Sequence, residues 1–491
     1  MILSVQEIVE IIGAKPRNMV QMDLQITGLS ANSANCKRGF VFVAIPGVGA
    51  DGHDYINEAF SQGAVIAVVS DSSKLGERPG LLVEDTRKSL SKLASVFAGE
   101  PSKKLLCIGI TGTNGKTTIN LLIYNILQLL GEKSIRIGTL GTFAEGVIDR
   151  KEGLTTPDPV TLHEDLALAF SSGVKAAVME ASSHALHQER VSEVDFDIGV
   201  YTNLTRDHLD YHGDMENYFK AKLKLFELIS KGSKSHKLGI INIDCPYGRR
   251  LMGTKGLKLI SYGTAEDAML RISDIESSSS ESSFCISYGS LKRKIQTKFI
   301  GRHNASNIAG TLGVFLGLGY EFDALLSVLP KLPQVPGRLE YVAGEGFDVF
   351  VDYAHTPDAL ENALGALKNL SKGNLWVLFG CGGDRDKGKR PQMAEIAARN
   401  ADKIVVTSDN PRTEDPQDII NGILSSGIKP DIVNPDRREA IRAAIRSVRR
   451  GDVLLVAGKG HEDYQIIGKT KIHFSDVEEI RKALAERASK P

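Results

Sequence analysis

The amino-acid sequence predicts an α/β fold in three domains, because short apolar runs alternate with helical segments along the whole chain and the alternation restarts twice. The 491 residues are too many for one hydrophobic core. Apolar strands that alternate with helices are typical of a parallel sheet covered by helices on both faces. We therefore expect an N-terminal α/β domain at 1–101, a central parallel-sheet domain at 102–333 and a C-terminal Rossmann-like α/β domain at 334–491.

Each domain has its own series of predicted elements. In the first, M-I-L-S-V-Q-E-I-V-E-I-I-G forms an amphipathic helix, and G-F-V-F-V-A-I, A-V-I-A-V-V and L-L-V-E-D form strands. In the second, the strands are K-L-L-C-I-G-I, A-A-V-M-E, F-D-I-G-V-Y-T and L-G-I-I-N, and S-S-S-S-E-S-S at 277–283 is a solvated loop. After a linker, K-L-P-Q-V-P-G-R at 331–338, the strands are F-D-V-F-V-D-Y, L-W-V-L-F-G, K-I-V-V-T-S and D-V-L-L-V-A-G.

The overall composition argues against several functional classes. The chain has 60 basic and 60 acidic residues, and this balance disfavours a main role in binding nucleic acid or a membrane surface. No apolar run approaches the roughly 18 residues that span a bilayer. The five cysteines are scattered and form no C-x-x-C pair, which fits a reducing compartment and provides no zinc site. We expect a cytoplasmic monomer that acts on small molecules.

The segment I-G-I-T-G-T-N-G-K-T-T predicts a phosphate-binding loop between a strand and a helix. Gly112 and Gly115 allow the backbone to curl so that successive N–H groups point inward and, with the positive end of the following helix, bind an anion. Lys116 would reach the terminal phosphates, and the Thr117 hydroxyl would contact Mg²⁺. Such a loop alone is compatible with a motor, a switch, a kinase or a ligase.

Other polar residues lie where predicted strands end. Glu180 ends A-A-V-M-E, and His208 lies in the loop after F-D-I-G-V-Y-T. Each is either a metal ligand or an ordinary hydrogen-bonding group. In the loop S-D-N-P-R-T-E-D-P, Pro411 prevents helix formation, and loops at the C-terminal ends of strands bind ligands in open α/β sheets. Arg412 is therefore either a solvated charge or a guanidinium fork for a substrate carboxylate.

Nine motifs span nearly the whole chain in order: G-T-N-G-K-T-T, L-T-T-P-D, M-E-A-S-S-H, T-N-L-T-R-D-H-L-D-Y-H-G, G-R-H-N-A-S-N, P-G-R-L-E, V-D-Y-A-H-T-P-D, F-G-C-G-G-D-R-D-K-G-K-R-P and A-G-K-G-H-E-D-Y-Q. This set resembles the Mur ligases of peptidoglycan synthesis, and among them the members that add the third amino acid. The resemblance implies a ligase that uses ATP and Mg²⁺. It would add meso-2,6-diaminopimelate to UDP-N-acetylmuramoyl-L-alanyl-D-glutamate through an acyl phosphate, with release of ADP and phosphate.

The resemblance assigns catalytic and metal-binding roles. The implied catalytic residues are Lys116, Glu180, His208 and Lys222. Thr117 and Glu180 would hold the Mg²⁺ beside ATP, whereas His208 and Lys222 would help to hold a second Mg²⁺. Lys222 stands where the family carries a carbamylated lysine (N6-carboxylysine), a modification that turns a cation into an oxygen ligand.

The resemblance also assigns residues to each substrate. For ATP they are Gly112, Thr113, Asn114, Gly115, Lys116, Thr117, Thr118, Asn304, Asn307, Arg338 and Asp352. For the UDP-linked dipeptide they are Ser33, Thr155, Thr156, Ser182, Gln188 and Arg190, with residues 48–50 near Ser33. For diaminopimelate they are Arg385, Asp409, Asn410, Pro411, Arg412, Gly458 and Glu462. Because Arg338 and Asp352 fall in the third domain, we expect ATP to bridge two domains. The N-terminal domain matches the family least, since it has A-N-S-A-N where many relatives have D-S-R.

Within this resemblance, Arg412 is predicted to select diaminopimelate. The far end of diaminopimelate carries a second amino-carboxylate, whereas L-lysine ends in an ammonium, so only the former offers a carboxylate to a guanidinium fork. A ligase that adds L-lysine at the same step is the nearest alternative. A folylpolyglutamate synthetase-like ligase, which would lack a UDP-binding N-terminal domain, and a non-catalytic nucleotide-gated binding protein are the others.

Overall fold

The computed structural model describes residues 1–47, 49–151, 153–278, 281–343 and 346–489. Within these ranges the strands form a five-stranded, an eleven-stranded and a six-stranded sheet, and two two-stranded ribbons. Helices pack on both faces of the two larger sheets. The predicted α/β class, with a separate sheet in each of three regions, is confirmed. In the described part of the chain, no helix combines the length and the hydrophobicity needed to cross a membrane.

The N-terminal region forms a mostly parallel sheet with short helices. Its elements are β1 (Leu3–Ser4), α1 (Val5–Ile12), β2 (Lys15–Arg17), β3 (Gln25–Ile26), β4 (Gly28–Ser30), β5 (Phe40–Val43), α2 (Ile56–Ser61), β6 (Ala64–Val69), β7 (Gly80–Leu82) and α3 (Thr86–Phe97). The sheet order is β2-β7-β6-β5-β4, with β4 to β7 parallel. The predicted N-terminal helix is confirmed as α1, which begins at a capping box of Ser4 and Glu7.

The central region is built on the eleven-stranded sheet. Its strands are β8 (Leu106–Thr111), β9 (Ser134–Gly138), β10 (Gly141–Ala144), β11 (Ile148–Arg150), β12 (Ala176–Glu180), β13 (Ile198–Tyr201), β14 (Leu238–Asn242), β15 (Lys258–Gly263), β16 (Leu270–Ser277), β17 (Ser282–Tyr288) and β18 (Leu291–Thr297). Its helices are α4 (Lys116–Leu129), α5 (Pro159–Ser171), α6 (Ser183–His187), α7 (Leu209–His212), α8 (Met215–Lys231), α9 (Pro246–Leu251), α10 (Arg302–Gly317) and α11 (Phe322–Val328). The order is β11-β10-β9-β12-β8-β13-β14-β15-β16-β17-β18.

Strand register brings the predicted catalytic segments to one edge of this sheet. The strands β12, β8 and β13 are adjacent and parallel; Glu180 pairs with Ile110, and Tyr201 with Thr111. The loops that follow these three strands therefore leave the sheet side by side at the same edge. One face of the sheet packs against α4 and α10, the other against α5 and α8, so the strand ends are the part of the sheet left to form a site.

The prediction of a solvated loop at 277–283 is partly wrong. Ser277 ends β16, and Ser282 and Ser283 begin β17, so both ends of the segment belong to a β-hairpin. Ser282 is fully buried, and its hydroxyl has two partners: it lies 2.8 Å from the Ser277 hydroxyl and accepts a hydrogen bond of 3.1 Å from the Gly301 N–H. Low complexity indicated polarity, but Ser277 and Ser282 pair in the strand ladder, and these two contacts satisfy their hydroxyl groups. Residues 279 and 280 lie outside the described residues.

The C-terminal region contains all four strands predicted for it. Its elements are β19 (Glu340–Ala343), β20 (Asp348–Asp352), α12 (Pro357–Lys368), β21 (Leu375–Phe379), α13 (Lys389–Asn400), β22 (Lys403–Val406), α14 (Pro416–Leu424), β23 (Ile432–Val433), α15 (Arg437–Ser447), β24 (Val453–Ala457), β25 (Tyr464–Ile467), β26 (Thr470–His473) and α16 (Asp476–Ala488). The order is β19-β20-β24-β21-β22-β23, parallel except for β19. In the preceding segment, predicted as a linker, the side chains of Leu332 and Val335 are buried in the central core.

Candidate active site

The phosphate loop connects β8 to α4 and requires its two glycines. Gly112 has φ +147° and Gly115 has φ +86°, values that side-chain-bearing residues rarely adopt. A Cβ atom on Gly112 would overlap the Thr202 hydroxyl, and one on Gly115 would lie 2.5 Å from Oδ1 of Asn307. The loop therefore passes too close to β13 and α10 to carry side chains at these positions.

Two lysine side chains converge on one carbonyl oxygen of this loop. The Gly112 oxygen accepts a hydrogen bond of 3.0 Å from Lys116 Nζ and one of 2.7 Å from Lys222 Nζ. Lys222 is 1% exposed and lies 4.4 Å from the centre of the Tyr218 ring. Burial, and after it the charge of Lys116, lowers the pKa of Lys222 well below its ordinary value. The site therefore favours a neutral Lys222 amine.

Glu180 is buried at the end of β12 and is oriented by two threonines. Its carboxylate accepts hydrogen bonds from the Thr117 hydroxyl (3.1 Å), the Thr139 N–H (2.8 Å) and the Thr139 hydroxyl (3.1 Å). A hydroxyl beside a carboxylate is a donor set that suits a hard cation such as Mg²⁺. The residues that the resemblance assigned to the first metal thus fit it. Across the described residues, no cluster of three or more His, Cys, Asp or Glu side chains could hold a metal unaided.

His208 is the N-cap residue immediately before α7 and has a left-handed backbone, φ +53°. Its Nε2 is 3.3 Å from Asp207, and its ring packs against His184 with centroids 4.8 Å apart. Desolvation lowers the pKa of His208, with Asp207 acting in the opposite direction. The imidazole is therefore neutral near pH 7, the form in which histidine binds metals.

A cavity of about 440 Å³ lies between the central and C-terminal regions. All four residues predicted to contact adenine and ribose line it, together with three from the phosphate loop and α4: Asn304, Asn307, Arg338, Asp352, Asn114, Gly115 and Thr118. Arg338 donates a 3.1 Å hydrogen bond to the Thr117 hydroxyl, although the two residues belong to different regions. Burial raises the pKa of Asp352 to about 6, against the lowering effect of Arg338.

A second cavity, of about 350 Å³, collects the residues predicted for diaminopimelate. It is lined by Arg385, Asp409, Asn410, Arg412, Gly458 and Glu462 on one side and by His184, Asp207 and His208 on the other. Pro411 does not line it. The cavity therefore connects the candidate amino-acid side to the candidate metal side.

Arg412 is held in place rather than freely solvated. Its backbone has φ +54°, and its N–H donates a 3.0 Å hydrogen bond to the Ile466 carbonyl in β25. Its Nη1 donates a 2.8 Å hydrogen bond to the Gly383 carbonyl. A group of the opposite charge, Asp409, lines the same cavity as Arg412. Asp409 is 7% exposed, and its Oδ1 makes no hydrogen bond within the described structure. The cavity thus combines a guanidinium with a buried carboxylate whose Oδ1 lies 3.7 Å from the buried Lys459 ammonium.

The residues predicted for the UDP-linked dipeptide form a network beside Glu180. The Thr156 hydroxyl donates to the Glu180 carbonyl at 2.7 Å and lies 3.1 Å from the Ser182 hydroxyl. Arg190 donates to the Thr156 carbonyl at 3.0 Å and also to Oε1 of Gln188. The Thr155 hydroxyl lies 3.3 Å from that of Thr139.

Ser33 is the predicted contact that the structure does not bring to this network. It lies in a short 3-10 helix of the N-terminal region, where its hydroxyl donates a 2.7 Å hydrogen bond to Glu58. Residue 48, expected near it, lies outside the described residues. Nothing in A-N-S-A-N indicates this internal contact, because it depends on the distant α2.

Several residues at the two cavities were missed from the sequence. Lys389 and Arg206 line the second cavity, and Asp358 lines the first. Lys459 lies fully buried beneath Asp409 and Glu462. The signals were present, since Asp358 ends V-D-Y-A-H-T-P-D and Lys459 lies in G-K-G-H-E, but nothing local indicates what these side chains contact.

Comparisons with known proteins agree with this arrangement. Three family models match: Mur ligase middle domain at 110–315, Mur ligase, glutamate ligase domain at 337–460, and Mur ligase family, catalytic domain at 25–98. The chain is 42% identical over 479 residues to a UDP-N-acetylmuramoyl-L-alanyl-D-glutamate--2,6-diaminopimelate ligase of Thermosynechococcus vestitus, with 96% of this chain and 95% of the relative covered. A ligase of the same name from Aquifex aeolicus is 42% identical over 476 residues, with 95% and 96% covered.

Solved structures extend the similarity to the fold. A structure of a ligase with that same name has a TM-score of 0.70 at 32% identity and covers both chains completely. MurF from Acinetobacter baumannii has a TM-score of 0.66 at 18% identity over 99% of each chain, and a folylpolyglutamate synthase of Mycobacterium tuberculosis has 0.63 at 17% identity over 76% of this chain. At such low identity the last two show the fold alone. With its full-length relatives and three matching models, the chain belongs to the Mur ligase family.

Proposed function

We propose that this protein is an ATP-dependent ligase that joins meso-2,6-diaminopimelate to UDP-N-acetylmuramoyl-L-alanyl-D-glutamate, giving ADP and phosphate. The observation that carries the proposal is the second cavity, in which Arg412, Asp409 and Glu462 face the side of the site that holds His208. The curated relatives of nearly full length bear the name of this activity. ATP and Mg²⁺ are the cofactors that the family and the phosphate loop support.

The phosphate end of the site would bring together three anionic bodies: the γ-phosphate of ATP, the acceptor carboxylate and the UDP diphosphate. Two unit charges 4 Å apart interact by about 4 kcal/mol at an effective dielectric constant near 20, so cations are needed between them. Lys116 and the N–H groups at the start of α4 supply part of this compensation. Thr117, Glu180 and His208 would hold Mg²⁺, which when bound neutralises charge developing on the phosphoryl oxygens.

Lys222 is proposed to act as a carbamate. Its neutral amine would attack CO₂, forming an N–C bond and releasing one proton to solvent. Two observations support this. Lys222 shares the Gly112 carbonyl with Lys116, so two ammonium groups would repel each other there, and burial favours the neutral amine. A carbamate in place of the amine would give His208 and Mg²⁺ an anionic oxygen partner.

The amino-acid end of the site favours diaminopimelate over L-lysine. The second carboxylate of diaminopimelate would meet Arg412, and its second ammonium would meet the acidic part of the same cavity, which Asp409 and Glu462 line. The side-chain ammonium of L-lysine would pair with the acidic residues of the cavity. L-Lysine has no second carboxylate for Arg412, however, so its ammonium would lie near an unpaired guanidinium. Arg385 adds further positive charge at the same wall. Sites built to pair a polar group discriminate by about 10⁴-fold against an analogue that lacks it.

The same proposal places the reaction in the cytoplasm and assigns it to a monomer that uses only small-molecule substrates. The balance of 60 basic and 60 acidic residues disfavours nucleic acid or a membrane surface as partner. All five cysteines are free thiols, as expected in a reducing compartment.

The test is an amino-acid panel. Protein, ATP, Mg²⁺ and UDP-N-acetylmuramoyl-L-alanyl-D-glutamate are incubated with meso-diaminopimelate, L-lysine or L-glutamate, and phosphate release and product mass are measured. We expect release and a tripeptide product with diaminopimelate alone. Preference for L-lysine would overturn the assignment of Arg412. Release without precursor or amino acid would instead indicate a nucleotide switch.

A further inference from the structure

Lys459 lies beneath the wall of the second cavity without lining it. It is 0% exposed, which is unusual for a lysine. It follows β24 and is flanked by Gly458 (φ +114°) and Gly460 (φ +55°). A Cβ on Gly460 would lie 2.7 Å from the Tyr353 Cβ. Glycine on both sides lets the chain turn tightly there, and the lysine side chain is buried beneath the turn.

The Lys459 ammonium touches three side chains of the cavity wall. Its Nζ lies 2.9 Å from Oε2 of Glu462, 3.2 Å from Oδ1 of Asn410 and 3.7 Å from Oδ1 of Asp409. Each of these neighbours lines the cavity, whereas Lys459 does not. The lysine therefore contacts the wall from behind.

These contacts fix which way the Asn410 amide faces. Its Oδ1 accepts hydrogen bonds from Lys459 Nζ and from the Ile466 N–H (3.0 Å), two donors that demand an oxygen. Its Nδ2 consequently faces Glu462 and donates to Oε2 at 2.9 Å. The same Oε2 accepts from Lys459, so Oε1 takes no part in these two bonds. The buried ammonium thus sets the orientation of the Glu462 carboxylate and, together with the Ile466 N–H, that of the Asn410 amide.

We propose that Lys459 is the positioning residue for amino-acid recognition: it holds Asn410 and Glu462 in the orientation that binds the far end of the amino-acid substrate, and it compensates the adjacent charges of Asp409 and Glu462. Without it, two carboxylates would share a buried wall and repel each other. The inference rests on the proposed function, because it assigns the occupant of that wall.

The experiment replaces the ammonium by an apolar chain of similar length. For Lys459→Met we expect the KM for diaminopimelate to rise roughly 10- to 100-fold, as expected for loss of charged hydrogen bonds, with the KM for ATP within about twofold of wild type. The matched control is Lys234→Met, which removes another lysine with little exposure and its 3.2 Å ion pair to Asp197, outside both cavities. The control should lower thermal stability and leave both KM values unchanged.

A double-variant cycle separates positioning from a structural effect. If Lys459 acts through Glu462, adding Lys459→Met to Glu462→Gln should raise the KM for diaminopimelate by much less than it does alone. Lys459→Gln, which keeps a donor, provides a second variant if Lys459→Met is too unstable to purify. An unchanged KM for diaminopimelate, an equal rise in the KM for ATP, or full additivity with Glu462→Gln would overturn the proposal.

Failure of the proposed function is recognised separately. A wild-type protein that uses another amino acid refutes the assignment of diaminopimelate. The KM for the amino acid actually used then tests Lys459 in the same variants.

Discussion

Arg412 combines a strained backbone with a constrained side chain. A left-handed conformation costs a non-glycine residue on the order of 1–3 kcal/mol and persists only where the surroundings enforce it. Here the Ile466 carbonyl accepts from the Arg412 N–H, and the Gly468 N–H donates to the Arg412 carbonyl. The β25–β26 ribbon thus fixes the position of the Arg412 backbone, and the hydrogen bond to the Gly383 carbonyl fixes the direction of its guanidinium.

Replacing Arg412 tests its role in substrate choice. Arg412→Ala should raise the KM for diaminopimelate about 10- to 150-fold, because it removes a charged hydrogen bond worth roughly 1.5–3 kcal/mol, and should leave the KM for ATP unchanged. Arg412→Lys keeps the charge but not the guanidinium fork, so its KM for diaminopimelate should lie between those of wild type and Arg412→Ala. Steady-state kinetics with each substrate varied in turn provides the measurement. An unchanged diaminopimelate constant would contradict the assignment.

The environment of Lys222 leads to a prediction of chemical rescue. Lys222→Ala should lose most activity, because it removes the proposed carbamate oxygens, and should regain part of it in added short-chain carboxylic acid, which supplies a carboxylate to the vacated space. Turnover is measured with and without the acid. Lys220→Ala is the control, since Lys220 lies on the same helix but is exposed. Full activity in Lys222→Ala, or loss without rescue, would count against a carbamate.

At the scale of elements, the phosphate loop is the clearest link between sequence and site. Gly112→Ala should weaken ATP binding strongly and lower thermal stability, because the new Cβ would overlap the Thr202 hydroxyl in addition to requiring φ +147°. Overpacking typically costs about 1–3 kcal/mol. The KM for ATP and thermal unfolding measure the two effects.

Gly131→Ala is the control for backbone strain. Gly131 also has a positive φ, +82°, but no other group lies within 4 Å of the position that an alanine Cβ would take. The variant should lose some stability and keep its affinity for ATP. Equal affinities in the two variants would show that the close approach of the loop to β13 is unimportant.

Elements differed in how well the sequence predicted them. The four C-terminal strands were predictable because each is a short, mainly apolar run buried in a parallel sheet. The serine-rich hairpin was not, because strand pairing between 277 and 282 overrides local composition. The contact of Ser33 was not predictable either, because its partner Glu58 lies 25 residues away on α2 and no residue near Ser33 indicates it.

At the scale of the whole molecule, the central and C-terminal regions meet through polar contacts at the nucleotide cavity. Asp358, at the start of α12, accepts a 2.7 Å hydrogen bond from Asn114 in the phosphate loop and a 3.3 Å bond from the Thr205 hydroxyl. Arg338 reaches Thr117 from the C-terminal side. Contacts of this kind would allow nucleotide binding and domain closure to depend on each other.

Removing this contact tests the coupling. Asp358→Ala should raise the KM for ATP about tenfold, because two hydrogen bonds between the regions are lost. It should also increase the radius of gyration measured by small-angle X-ray scattering with a non-hydrolysable ATP analogue. Glu361→Ala is the matched control, an exposed acidic residue on the same helix. A wild-type radius together with a wild-type KM in Asp358→Ala would exclude a role for this contact in closure.

The fold class, the phosphate loop and the set of family motifs could all be predicted from the amino-acid order, because strand periodicity, glycine spacing and strand–loop–helix chemistry are local properties. The tertiary structure alone decided which groups meet: Lys222 reaches the Gly112 carbonyl across 110 residues, and Asn114 reaches Asp358 across 244. It also decided that Lys459 is buried behind Asn410 and Glu462 rather than exposed. Burial, shared acceptors and charge compensation depend on distances between segments far apart in sequence, and those distances are set by how the sheets and helices pack.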